Sequence, residues 1–117
     1  MSQVKPHSWA AIENHYISLN RHGWGHEKLL ELVRHIRSTS ISNHLFAYTS
    51  LDKLVVSIYD MIEPQKETLE IQFDRSSQKW IFRYFAVPYR EPEFARQYDA
   101  DFGIEKFGNF IKMIRWV

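Results

Sequence analysis

Between Glu67 and Phe85 the chain alternates. Leu69, Ile71 and Phe73 are interleaved with Thr68, Glu70 and Gln72. After a polar run from Asp74 to Gln78, Trp80, Phe82 and Tyr84 are interleaved with Ile81, Arg83 and Phe85. A period of two on both sides of a short polar turn predicts an antiparallel hairpin. The two arms differ. The first is polar on one face; the second is apolar on both, which predicts an interior strand or one lying under a contact surface.

Two shorter strands are predicted upstream, over Leu45–Thr49 and Lys53–Tyr59. In the second, Leu54, Val56 and Ile58 point one way and Val55, Ser57 and Tyr59 the other. The connector Ser50-Leu51-Asp52 is short enough for a hairpin. Residues 61–66 read as a turn, because Pro64 forbids a regular strand there.

The period changes to that of a helix in two other regions. Behind Ser8, a residue suited to N-capping, Trp9, Ile12, Tyr16 and Leu19 recur at helical spacing up to about Asn20, before Gly23 and Gly25. Leu29, Leu32, Val33 and Ile36 form the apolar stripe of a second helix that starts at His26 or Glu27, and residues 38–43 read as the loop after it. Downstream of the hairpin, Pro92 and Glu93 suit the start of a short helix over 93–98. Asp99 to Asp101 then offer a new cap for a last helix traced by Ile104, Phe107, Ile111 and Ile114, with Lys112 and Arg115 in its final turn.

The predicted order is ααββββα. It describes an α+β fold with a four-stranded antiparallel meander, two N-terminal helices and one or two C-terminal helices, all packed on one sheet face. The predicted core is Trp9, Ile12, Leu29, Val33, Ile36, Leu54, Ile58, Leu69, Ile71, Phe73, Trp80, Phe82, Phe107, Ile111 and Ile114.

Composition narrows the function classes. At 117 residues the chain is expected to form a single globular domain over 1–117, large enough to bury a core without covalent staples. Cysteine is absent, which excludes disulfides, thiolate catalysis and Cys-based zinc sites. Net charge is +1 with no polybasic run, so nucleic-acid binding has no electrostatic source. No apolar stretch reaches membrane-spanning length, and the first residues lack the apolar core of a signal peptide. These features lead us to expect a soluble cytoplasmic protein with no membrane, nucleic-acid or cofactor partner. Four Trp, six Tyr and eight Phe are many rings for so small a core, and Tyr and Trp left at a surface are typical of interfaces.

Candidate chemistry is sparse. His22 and His26 are four residues apart, the spacing at which two imidazoles share a metal on one helical turn. Gly23 and Gly25 between them break such a turn, and the HExxH order of zinc proteases is missing. His22 and His26 are therefore weak metal candidates, and the glycines are those of an interhelical loop. Trp24, between these glycines, either plugs the core or faces a partner. Glu67 and Glu70, Glu91 and Glu93, and Asp99 and Asp101 are explained by a solvated strand and by helix starts. No nucleophile elbow, P-loop or dinucleotide fingerprint is present. Lys79 to Phe85 resembles a base-stacking strand in its aromatics alone, without the glycines or element order of an RNA-recognition module.

Arg83 shares a face with Ile81 and Phe85. A cation among apolar neighbours is an edge residue reaching water or an interface anchor. With Tyr48, Val55 and Tyr59 on the same side, this face would be an apolar patch carrying one charge, the kind that marks contact sites. The expected function is therefore non-catalytic protein binding through Trp24, Tyr48, Tyr59, Ile81, Arg83 and Phe85, to another protein or a second copy. Bacterial immunity proteins, which occlude a partner toxin, are analogous in size and composition. The alternative is a small enzyme or ligand-binding protein with a pocket between helices and sheet, using His15, His22, His26 and nearby carboxylates.

Overall fold

A computed structural model describes residues 5–23, 25–60, 67–86, 94–114 and 116. Ser8 opens helix α1 (Trp9–Arg21), its side chain accepting from the Ala11 amide. Such a cap is worth about 1 kcal/mol. Burial outweighs it: Ile12 and Tyr16 on α1, and Leu29, Leu32, Val33 and Ile36 on α2 (Glu27–Arg37), are fully buried, at roughly 1.5–3 kcal/mol for each aliphatic side chain. Across the two helices, Glu13 accepts from Arg37 at 2.7 Å and Arg34 at 3.2 Å. These guanidinium groups, Arg37 first, hold its carboxyl below the usual range against the opposing effect of burial.

After a 3₁₀ turn (Ser40–Asn43), five strands follow: β1 (Phe46–Ser50), β2 (Lys53–Ser57), β3 (Thr68–Asp74), β4 (Lys79–Phe85) and β5 (Phe94–Asp99). A second 3₁₀ turn (Ala100–Phe102) leads into α3 (Gly103–Met113). The strands lie in sequence order, β1-β2-β3-β4-β5, and all pairs are antiparallel. The predicted α+β meander with two helices before it and one after is therefore correct, with five strands in place of four.

The additional strand corrects the helix predicted over 93–98. Pro92 and Glu93, which suggested a helix start, lie outside the described residues. From Phe94 onward the chain pairs with the outer edge of β4 over six of its seven residues, from Tyr84↔Phe94 to Lys79↔Asp99. β4 is seven residues long and apolar on both faces. Left unpaired, its edge would expose a row of backbone donors and acceptors. Pairing satisfies that row and places the Tyr98 ring 5.3 Å from Phe82 and the Phe94 ring 4.8 Å from Phe110, which decides the local conformation over the weak preference of the segment itself. At the opposite edge, His7 forms an antiparallel bridge to Ala47 of β1.

One set of alternate strand residues builds the core with the helices. Ala47, Leu54, Val56, Leu69, Ile71, Phe73, Trp80, Phe82 and Tyr84 share a buried cluster with residues of all three helices. Trp9, Ile58 and Ile114, predicted as core, pack half-buried against it. Gly103 permits a close approach between α3 and the sheet. A methyl group there would overlap the Trp80 indole, whose Nε1 donates to the Ala100 carbonyl at 2.9 Å.

Candidate functional site

Two places remain outside this core: the sheet face bearing no helices, and a cleft at one end of the sheet. The first follows from strand register. Residues paired across an antiparallel sheet point to the same side, so Tyr48, Val55, Glu70, Arg83 and Ala95 form one row across all five strands. Tyr48 and Arg83 are three strand spacings apart, roughly 14 Å. Ile81 lies between Gln72 and Gln97 in a neighbouring row, and Phe85 pairs with Thr68.

This face is neither sealed nor fully wet. Tyr48, Ile81, Arg83 and Phe85 are half-buried. Val55 is only 3% exposed although it stands outside the helix-packed cluster, so it is covered from the helix-free side. Arg83 donates to Gln72 Oε1 at 2.8 Å, and Lys53 approaches Glu70 at 3.5 Å. Burial, and then the Glu70 charge, push the Tyr48 hydroxyl above its ordinary pKa. Arg83 is therefore in the sheet interior, since β5 covers the edge that β4 would otherwise form.

The residues expected at a contact site separate as follows. Tyr48, Ile81, Arg83 and Phe85 come together on this face. Tyr59 lies beyond the end of β2, its hydroxyl 3.5 Å from Glu67, whose carboxylate also accepts from Tyr84. Trp24 lies outside the described residues. His22 and His26 do not converge: His22 is exposed with Nδ1 2.8 Å from the Ser18 carbonyl, whereas His26 is buried. Gly23 and Gly25, at φ 81° and 67°, turn the chain between them. Among the described residues, no group of three or more His, Asp or Glu could hold a metal ion.

His26 belongs to the second place. Its backbone amide donates to Asn20 Oδ1, which fixes the start of α2. The β1–β2 turn, with Leu51 at φ 58°, brings Asp52 alongside, 3.3 Å from His26 Nε2. That distance is within ion-pair reach, but neither ring nitrogen of His26 makes an aligned hydrogen bond. Tyr16 donates to the Asp52 backbone carbonyl at 3.1 Å, and its ring meets the imidazole edge-on, centroids 6.2 Å apart. Burial, with a smaller push from the Asp52 charge, raises the Tyr16 pKa far above the ordinary tyrosine value, so it stays a neutral donor.

A cavity of about 320 Å³ opens here, lined by His26, Asp52, Gln72, Asp74, Arg75 and Ile81 among others. It forms at a step in the sheet. The β2–β3 pairing ends at Leu54↔Ile71, while β3 runs on to Asp74 against β4. Asp74 accepts from Ser76 and Ser77, which hold its carboxyl below the usual range. Arg75 Nη1 reaches the Gly23 carbonyl at 3.3 Å, joining the β3–β4 turn to the interhelical loop. Sequence reasoning named His26 for a pocket but not its partners Asp52, Asp74 and Arg75, because the parts come from three separate turns.

No helix among the described residues is long and apolar enough to cross a membrane. Comparison with known proteins found no matching family model, no matching curated protein and no matching solved structure.

Proposed function

We propose that the chain is a non-catalytic protein-binding module whose contact surface is the helix-free face of the sheet. The observation carrying this reading is the register that gathers Tyr48, Ile81, Arg83 and Phe85, half-buried and large, on the one sheet face without helices. Aromatic, aliphatic and Arg side chains are the groups that dominate binding hot spots once a partner removes their remaining water. The occupant is a different protein, with occlusion of a toxin's working surface as the mode of action, in the manner of an immunity-type inhibitor acting in the cytoplasm.

The test is growth rescue. A toxic product encoded beside this gene is expressed with the wild-type chain, with Ile81→Asp and with Arg83→Glu. Rescue by wild type that both variants lose, while keeping their circular dichroism spectra, is the expected result. Absence of rescue, or rescue indifferent to both variants, overturns the reading. Concentration-dependent dimers that Ile81→Asp abolishes would replace the foreign partner with a second copy.

The alternative, an enzyme or ligand carrier with a pocket between helices and sheet, is favoured by one observation: a buried imidazole with no aligned hydrogen bond lines the cavity at the sheet step.

A further inference from the structure

β5 is an edge strand. It lies last in the strand order, and among the described residues no backbone hydrogen bond reaches it from outside the sheet. The opposite edge differs, since His7 donates its amide to the Ala47 carbonyl of β1 at 2.9 Å. An open edge offers alternate amides and carbonyls to an added strand. Phe94, Arg96 and Tyr98 pair with Tyr84, Phe82 and Trp80, so they stand on the helix side. Between them and α3 a groove of about 170 Å³ opens, lined by Phe94, Tyr98, Lys106, Asn109, Phe110 and Met113. Met113 is 61% exposed, and Phe102, one helical turn before Lys106, is 48% exposed; they are two of the three exposed large hydrophobic side chains among the described residues. Two cations stand on aromatic rings here. Arg96 lies 4.5 Å from the Phe94 centroid, and Lys106 lies 5.5 Å from that of Tyr98. Arg96 donates to the Ala95 carbonyl, which uses one of its five N–H groups. Among the described residues neither cation forms an ion pair, whereas Lys28, Arg34, Arg37, Lys53 and Lys79 all do.

We propose that the β5 edge and the groove beside it receive an extended acidic segment of another protein as a sixth strand. Its backbone pairs with β5. On the helix side it sets a carboxylate opposite Arg96, with Lys106 alongside, and apolar residues two positions to either side against Phe94 and Tyr98. The two unpaired cations select an acidic occupant and disfavour a second copy of this chain. Twofold antiparallel pairing of two β5 strands keeps their faces aligned only when centred on a residue. The centres that pair most of the strand are Arg96 and Gln97, and they set the two Arg96 side chains opposite or diagonal to each other, like charges at close range. This surface is distinct from the helix-free face and independent of it.

The probe is the end-capped peptide Thr-Val-Thr-Glu-Thr-Val-Thr, titrated against the ¹⁵N-labelled chain and followed by amide NMR. Its controls carry Lys in place of Glu, or N-methyl groups on the amides that face β5. The Glu peptide should shift the β5 amides and slow their hydrogen exchange, with half-saturation at about a millimolar. Both controls should bind about tenfold more weakly, through loss of the charged contact or of the backbone pairing. Arg96→Glu should invert the preference between Glu and Lys peptides, and Lys106→Glu should weaken the Glu peptide. Neither residue belongs to the buried cluster, so both variants should keep the wild-type circular dichroism spectrum. Equal binding of the Glu and Lys peptides overturns the acidic assignment, and equal binding of the N-methylated form overturns strand addition. Wild-type dimers that protect the β5 amides overturn the proposal in favour of a second copy. No binding of any peptide overturns it outright, and dimers appearing in Arg96→Ala would then make Arg96 a guard of the edge.

Discussion

The two faces of β4 are built from similarly large side chains and end in different environments. Trp80, Phe82 and Tyr84 are at most 8% exposed, under α3 and among the other core residues. Ile81, Arg83 and Phe85, one position away, are half-buried on the face without helices. Hydrophobicity alone does not assign the faces, because both are rich in large side chains. The assignment comes from polar partners on the neighbouring strand. Arg83 and Ile81 pair with Glu70 and Gln72, whereas Phe82 and Trp80 pair with Ile71 and Phe73. Helices pack where two adjacent strands are apolar together, and the other face is left for water or for a partner.

The sharpest way to break this comparison is to truncate adjacent residues. Phe82→Ala should cost about 3–5 kcal/mol in urea unfolding, by lost burial plus a cavity. Ile81→Ala should cost about 1 kcal/mol, in the range of ordinary partly exposed positions. Equal losses would mean that both faces are core. Gly103→Ala probes the helix-covered side from the other direction. The added methyl must displace the Trp80 indole, and a loss of about 1–3 kcal/mol with an altered near-ultraviolet spectrum is expected.

Glu13 provides a smaller, pH-dependent effect within the helical layer. Its carboxyl is held below the ordinary value of 4.5 by Arg37 and Arg34, so the contribution is complete above that value and is lost as pH falls through the lowered one. Glu13→Gln should trail the wild type by under about 1 kcal/mol at neutral pH and converge with it once the pH has fallen through that lowered value. The smallest effect is expected at the tip of the β1–β2 turn. Leu51 is 88% exposed at φ 58°, a conformation in which its Cβ is strained. Leu51→Gly should raise stability by about 0.5 kcal/mol, since glycine's larger chain entropy offsets part of the relief.

The helices α1 and α2 and the β3–β4 hairpin were legible because their periods are carried by residues close in sequence. Ile12, Tyr16, Leu29 and Val33 repeat at helical spacing, and Leu69 to Phe73 alternate cleanly. β5 was not legible for the opposite reason. Its Phe94, Arg96 and Tyr98 share a face only after pairing with Tyr84, Phe82 and Trp80, so the strand is a property of its neighbour's edge. That residues 48, 81, 83 and 85 share one sheet face was legible, and Tyr59 departed from it because β2 ends at Ser57. His26 was noticed for its spacing from His22, whereas its structural partner is Asp52, 26 positions further along and brought close by a turn. Spacing in sequence has no means of indicating such a pair.

Strand order equal to sequence order also affects how the molecule comes together. Every ladder closes a short loop of chain, so no strand has to be inserted between two that are already paired, and the entropy of each closure stays small. Hairpins can add one after another as the polypeptide leaves the ribosome. α3, the last helix, then arrives to cover rings that were held in place before it was made.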